Sequence, residues 1–170
     1  MFLSGVSIGW AQTAVDLPVP SAGTARDVPN AKELPDASLT YKVLFDAATE
    51  APKADEAHPL LTVAARYMNT LAKYGVPADR RKIAVVFHQG ATDYIMKNEA
   101  YRAKHGRDNP NVALIKAMKK AGVEFHVCGQ AVLGRKIDPA TIMPEIQLDL
   151  WALTTITTLE LRGYVRIGGA

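Results

Sequence analysis

A single cysteine, Cys128, is all the thiol chemistry available to this 170-residue chain. That excludes an internal disulfide and any multi-cysteine zinc or iron–sulfur site. One-sided charge is scarce too: Lys and Arg number 20 against 17 Asp and Glu, a formal net charge of +3. The excess is too small to imply nucleic acid as a partner. No stretch approaches the roughly 18 to 20 apolar residues that a membrane-spanning helix requires. A GxxxxGK[ST] phosphate loop, a GxGxxG after a strand, HExxH and CxxC are all missing, so the chemistries those motifs carry are not signalled.

What is present suffices for one globular domain with a real core, since 48% of the residues are apolar. Residues 1–10 are mostly apolar or small, and Gly9 and Ala11 hold the small-residue spacing that signal peptidase needs ahead of Gln12. Residues 1–11 thus read as the back half of a signal peptide, which would place the protein in the periplasm. No Lys or Arg precedes Arg26, so the positive opening is missing, and the other reading is an ordinary tail on a cytoplasmic protein. Residues 12–40 carry Pro18, Pro20, Pro29 and Pro35 without a sustained apolar period. They read as an extended arm, ordered only against a partner surface.

From residue 41 short apolar runs alternate with amphipathic stretches. Strands are expected at 41–47, 82–88, 123–128, 145–150 and 164–167. Helices are expected at 58–74, 93–105, from Asn109–Pro110 to Gly122, and at 152–162. Asp138–Pro139 signals a short capped turn. The alternation predicts an α/β fold, a three-layer α/β/α sandwich of flavodoxin-like class around a mainly parallel five-stranded sheet, with the domain at 41–168.

In such sheets, sites gather at the carboxyl edge. Two edges stand out, His88–Gln89–Gly90 and Cys128–Gly129–Gln130. Cys128 ends a buried strand just before a segment that can begin a helix, whose free N–H groups would favour a thiolate. Gly129 allows close backbone approach there. The thiol is then a nucleophile or a sulfane-sulfur carrier; the plainer reading is a buried structural cysteine. His88 is a candidate proton carrier for it, or a histidine tied to a loop. Gln89, Gly90, Gly129 and Gln130 are candidate ligand contacts. His126, with Glu124, shares a strand face with Cys128, but the set is a weak metal site, and no metal or cofactor is expected. His58 and His105 read as surface residues. Lys116, Lys119 and Lys120, and the Arg80–Lys82 loop, read as solvated charge. The four threonines at 154, 155, 157 and 158 suggest a helix face packed on another subunit.

The runs KIAVVFHQGA, NPNVALIKAMKKAGVEFHVCGQAV and LELRGYVRIG resemble the DsrE/DsrF-like proteins of sulfur metabolism, which share the YchN-like fold. The resemblance covers about residues 41–168. It implies a flavodoxin-like subunit assembled as a homotrimer or hexamer. It also implies a sulfur relay in which Cys128 accepts sulfane sulfur as a persulfide and passes it to a partner protein or small sulfane compound, with His88 and Gln130 beside it. Two expectations follow: a sulfurtransferase-like carrier using Cys128, or a non-catalytic oligomeric binding protein with a small-ligand pocket at the strand edge.

Overall fold

The structure, a computed structural model, describes residues 16–53 and 55–168; the signal-like segment 1–11 lies outside the described residues. The elements in chain order are β1 (Tyr41–Ala47), α1 (Pro59–Lys73), β2 (Arg81–Phe87), α2 (Asn98–His105), α3 (Val112–Lys120), β3 (Glu124–Cys128), α4 (Gly129–Gly134), β4 (Gln147–Asp149), α5 (Ala152–Leu161) and β5 (Val165–Gly168). The five strands form one sheet of order β4-β3-β2-β1-β5, and every pairing is parallel, as the unbroken apolar runs predict. The last five residues of both β1 and β2 are buried.

Alternation along the strands divides the interior in two. Val43, Phe45, Ile83, Val85, Phe87, Phe125 and Val127 share a large core with residues of α1 to α4, among them Leu61, Met68, Tyr101, Ile115 and Val132. On the opposite face Leu44, Ala84, Val86 and Cys128 form a small cluster with Ala152, Ile156 and Leu159 of α5, edged by Ala131 of α4 and by Tyr164.

Strand order follows from the crossovers. From β1 to β4 the chain steps one way across the sheet, with the connecting helices on the large-core face. After β4 it turns to the other face, and α5 carries it to β5 beside β1. The carboxyl ends of β3 and β4 therefore send the chain to opposite faces. That crevice is the topological switch point, where open α/β sheets bind ligands.

Five local expectations are corrected. The helix expected at 93–105 is two pieces. Gln89–Ile95 winds as a 3₁₀ segment whose Ala91 to Ile95 are all buried. Met96 is extended and bridges Ile142, and α2 starts at Asn98. Core contacts override helical propensity here, and Asn109 Nδ2 fixes the break by donating to the carbonyls of Tyr94 and Met96 at 2.7 and 2.8 Å. Asn109 is consequently not the cap residue of α3; Asn111 precedes the helix.

The described part of the arm, residues 16–40, packs on its own domain. Val19 is fully buried, and its N–H and carbonyl both pair with the Asn69 side chain at 2.9 and 2.7 Å. Arg80 donates to the carbonyls of Ala37 and Ser38, so part of the basic loop clamps the arm instead of being solvated. His58 is buried, not a surface residue. It caps α1 by accepting from Leu60 N–H at 3.2 Å while its Nε2 meets the Thr49 carbonyl at 2.9 Å.

Candidate functional site

Cys128 occupies the switch point. It closes β3, pairs in register with Asp149 of β4, and is the residue from which α4 departs. The strands must come very close here. A Cβ on Gly129 would lie 2.5 Å from the Asp149 carbonyl oxygen and 3.2 Å from that of Leu150, so only glycine fits. Gln130 Nε2 donates to the Leu150 carbonyl at 3.3 Å, latching the β4–α5 turn over the crevice. The thiol itself is turned inward onto Leu44, Val86 and Ile156 and is 4% exposed. Leu150 and Trp151, the crevice lip, stand exposed.

His88 lies one position past the register pair Phe87–Val127, which makes it the lateral neighbour of Cys128 on the same sheet face. Its ring is committed to the other side. Nε2–H donates to Asp46 Oδ1 of β1 at 2.5 Å, and Nδ1 has no hydrogen-bond partner among the described residues. No hydrogen bond joins His88 to the thiol among the described residues. Asp46 accepts a second bond, through Oδ2, from the guanidinium of Arg166 on β5, and its side chain is wholly buried. Burial pushes the Asp46 carboxyl up, but the bond and charge of His88, and then of Arg166, outweigh it and hold it below its ordinary value.

Gln89 and Gly90 belong to this second group and not to the thiol. Gln89 takes φ of 46° and points its side chain to solvent. A Cβ on Gly90 would meet Glu50 at 2.8 Å, so this turn is packed on the β1–α1 loop. The two strand edges named from the sequence thus stay distinct, as a β3/β4 group (Cys128, Gly129, Gln130) and a β1/β2 group (His88, Gln89, Gly90), joined only where His88 neighbours Cys128.

Sequence reasoning missed Asp46, Arg166 and Asp149. A charged residue inside a short apolar strand is the available signal, since a buried charge requires a partner. His126 was paired in expectation with Cys128 and Glu124. Instead its Nδ1 meets Asp149 Oδ2 at 2.9 Å, and no cluster of three metal-ligating side chains exists among the described residues. Of the threonines, Thr155 donates to Asp149 at 2.8 Å.

The DsrE/DsrF-like family profile matches residues 42–167. No curated protein matches at a significant level. Among solved structures, a protein of unknown function from Methanobacterium thermoautotrophicum superposes with a TM-score of 0.52 at 14% identity, over 75% of this chain and 97% of that one. At that identity the likeness concerns the fold alone.

Proposed function

The chain belongs to the DsrE/DsrF-like family, and from that premise we propose that it is a sulfur carrier whose working atom is the Cys128 sulfur. The observation that supports this most is the placement of the sole cysteine at the β3/β4 switch point, beside a histidine already oriented by a buried carboxylate. Asp46 holds the Nε2–H of His88, so Nδ1 accepts the thiol proton. The thiolate attacks the outer sulfur of a persulfide donor, R–S–SH; the new S–S bond forms as the donor S–S bond breaks. The leaving thiolate takes the proton from His88. The sum is Cys–SH plus R–S–SH giving Cys–S–SH plus R–SH, with no outside oxidant or reductant. Without a resolving cysteine in the chain, the sulfur leaves to another thiol, on a small molecule or a partner protein.

Cys128 is nearly buried, so transfer needs the Leu150–Trp151 lip to yield. The same burial favours the second reading, in which the thiol is structural and the edge binds a ligand without turnover. Intact mass after incubating reduced protein with glutathione persulfide separates the two. One sulfur atom gained on Cys128, and none in Cys128→Ser, supports the carrier. No gain on a thiol that iodoacetamide still alkylates quickly leaves the binding reading.

A homotrimer or hexamer fits the same picture. Leu153, Thr157 and Leu161 form an exposed outward row along α5, and Leu161 is 84% exposed. A second copy covers this row, and light scattering of Leu161→Glu, expected to give monomer, tests it. We place the protein in the periplasm, on the Gly9–Ala11 spacing; the N-terminus of protein recovered from that compartment, beginning at Gln12, is the check.

A further inference from the structure

His126 is 9% exposed, and its two ring nitrogens have unequal company. Nδ1 is fixed by Asp149. Nε2 is buried with no hydrogen-bond partner, the nearest carboxylate oxygen being that of the exposed Glu124 at 3.9 Å. An orphaned buried ring nitrogen is costly unless something outside the chain completes it. His126 lines a cavity of about 270 Å³ between α5 and the β3–β4 edge, far more than the roughly 10–15 Å³ that a single water needs.

The other walls show what fits. Asp149 is the one carboxylate in the lining, and it is saturated: Oδ2 takes His126 and Thr155, and Oδ1 takes Gln147 Nε2 at 2.6 Å. Arg162 lines the cavity mouth. Its backbone carbonyl accepts from Lys42, while its guanidinium has no ion-pair partner among the described residues. Thr154 and Thr158, one helical turn apart on α5, stand on the same wall; the Thr154 hydroxyl donates to the Trp151 carbonyl at 2.8 Å, which leaves that of Thr158. The pocket thus offers a guanidinium with no ion-pair partner among the described residues, an unpartnered imidazole nitrogen and the Thr158 hydroxyl, while the Asp149 carboxylate keeps its charge but has both oxygens engaged by donors of the chain itself.

We infer that this cavity is a binding site for a small oxyanion, a carboxylate or a sulfur oxyanion, held between the Arg162 guanidinium and His126 Nε2 with Thr158 alongside. Binding charges the ring: Nε2–H donates to the anion, Nδ1–H to Asp149, and Glu124 is displaced toward solvent. The site lies on the α5 side of β3 and β4, next to Cys128, which pairs with Asp149 but does not line the cavity, and it does not depend on sulfur transfer.

The test uses sulfate and acetate, neither of which reacts with a thiol, titrated into the full chain at constant ionic strength with chloride as counter-anion. The readout is the His126 ring nitrogen resonances. The expected result is saturable movement of Nε2 with at least one of the two anions, weakened tenfold or more in Arg162→Gln and less in Thr158→Val. Both replaced residues are exposed, so the fold is kept. Which anion saturates assigns the carboxylate or sulfur-oxyanion class. Non-saturating movement, or equal movement in Arg162→Gln, overturns the inference. So does a drop in assembly mass in Arg162→Gln with no anion response in the native protein, which would mean that a second copy fills the cavity.

Discussion

The two faces of the sheet are built to different rules. Toward α1–α4 the strands present Phe45, Phe87, Phe125 and their neighbours, and the core they make is continuous and apolar. Toward α5 one helix covers a small cluster, and around that cluster the strands carry Asp46, His88, His126, Cys128 and Arg166. Buried polar groups on the thick side, such as His58, Asn69 and Asn109, come from helices and loops, whereas on the thin side they stand on the strands or at their ends, where each costs stability unless partnered. The difference teaches where to look for chemistry in this chain: on the face with the poorer core.

The sharpest way to break this comparison is to remove equivalent bulk from each face. Ile83 of β2 is fully buried in the large core, so Ile83→Ala is expected to cost about 4–5 kcal/mol, the upper end for its type. Ile156→Ala, under a single helix that can settle into the gap, should fall near 2 kcal/mol, the low end for its type. Urea unfolding of both variants checks the pair. Equal losses would mean that the α5 face is packed as firmly as the other.

Next comes the crevice itself. Gly129→Ala drives a methyl group into the Asp149 carbonyl, where the obstacle is backbone and must move. A loss of about 1–3 kcal/mol is expected, as for other overpacked sites. Sulfur uptake by Cys128, followed by intact mass, should slow in parallel because β3 and β4 are pushed apart. Native stability in this variant would show that the strands have slack at the switch point.

Much of the architecture was legible in the sequence, for a physical reason. The centres of YKVLFDA and KIAVVFH, Val43–Phe45 and Ile83–Phe87, are apolar without interruption because both sides of β1 and β2 are covered, and the helix stops near Gly75, Gly122 and Gly163 are backbone signals, each glycine adopting positive φ. What failed to show were relations between distant residues. Asp46 and Arg166 meet across 120 positions, and His126 finds Asp149 across 23; nothing local in YVRI or QLD names a partner. Strand order, and with it the switch point, is also nonlocal. The single helix expected at 93–105 failed for a related reason, since the bridge from Met96 to Ile142 is a tertiary contact that no local pattern records.

Smaller effects distinguish the polar groups of the thin face from a histidine on the thick one. The folded Asp46 carboxyl lies below its ordinary value, so its contribution is present above the unfolded value near 3.9 and is lost as pH falls below that through the folded value. Asp46→Asn removes the charge and should cost about 1–3 kcal/mol at neutral pH, toward the lower part because Arg166 is partly solvated. Its melting temperature should fall less than that of the native chain between pH 5 and 3. An unchanged slope would show that the three-residue ion cluster is neutral to stability.

His58 provides the smallest and most specific contrast. Burial lowers its basicity, and the Thr49 carbonyl only partly opposes this. Its neutral form therefore favours folding above the unfolded value near 6.5, and that stability is lost as pH falls from there through the lowered folded value. His58→Asn keeps a side-chain acceptor for the first turn of α1 but cannot titrate. Its stability should be flatter between pH 7 and 5 than that of the native protein, with little change at pH 7. Because His58 packs against Tyr94 at the end of the large core and lies away from the α5 face, sulfur uptake at Cys128 should be untouched. A variant that lost uptake while keeping its fold would show that the two faces are coupled through the β1–α1 loop, where His58 and Glu50 both sit close to the His88 turn.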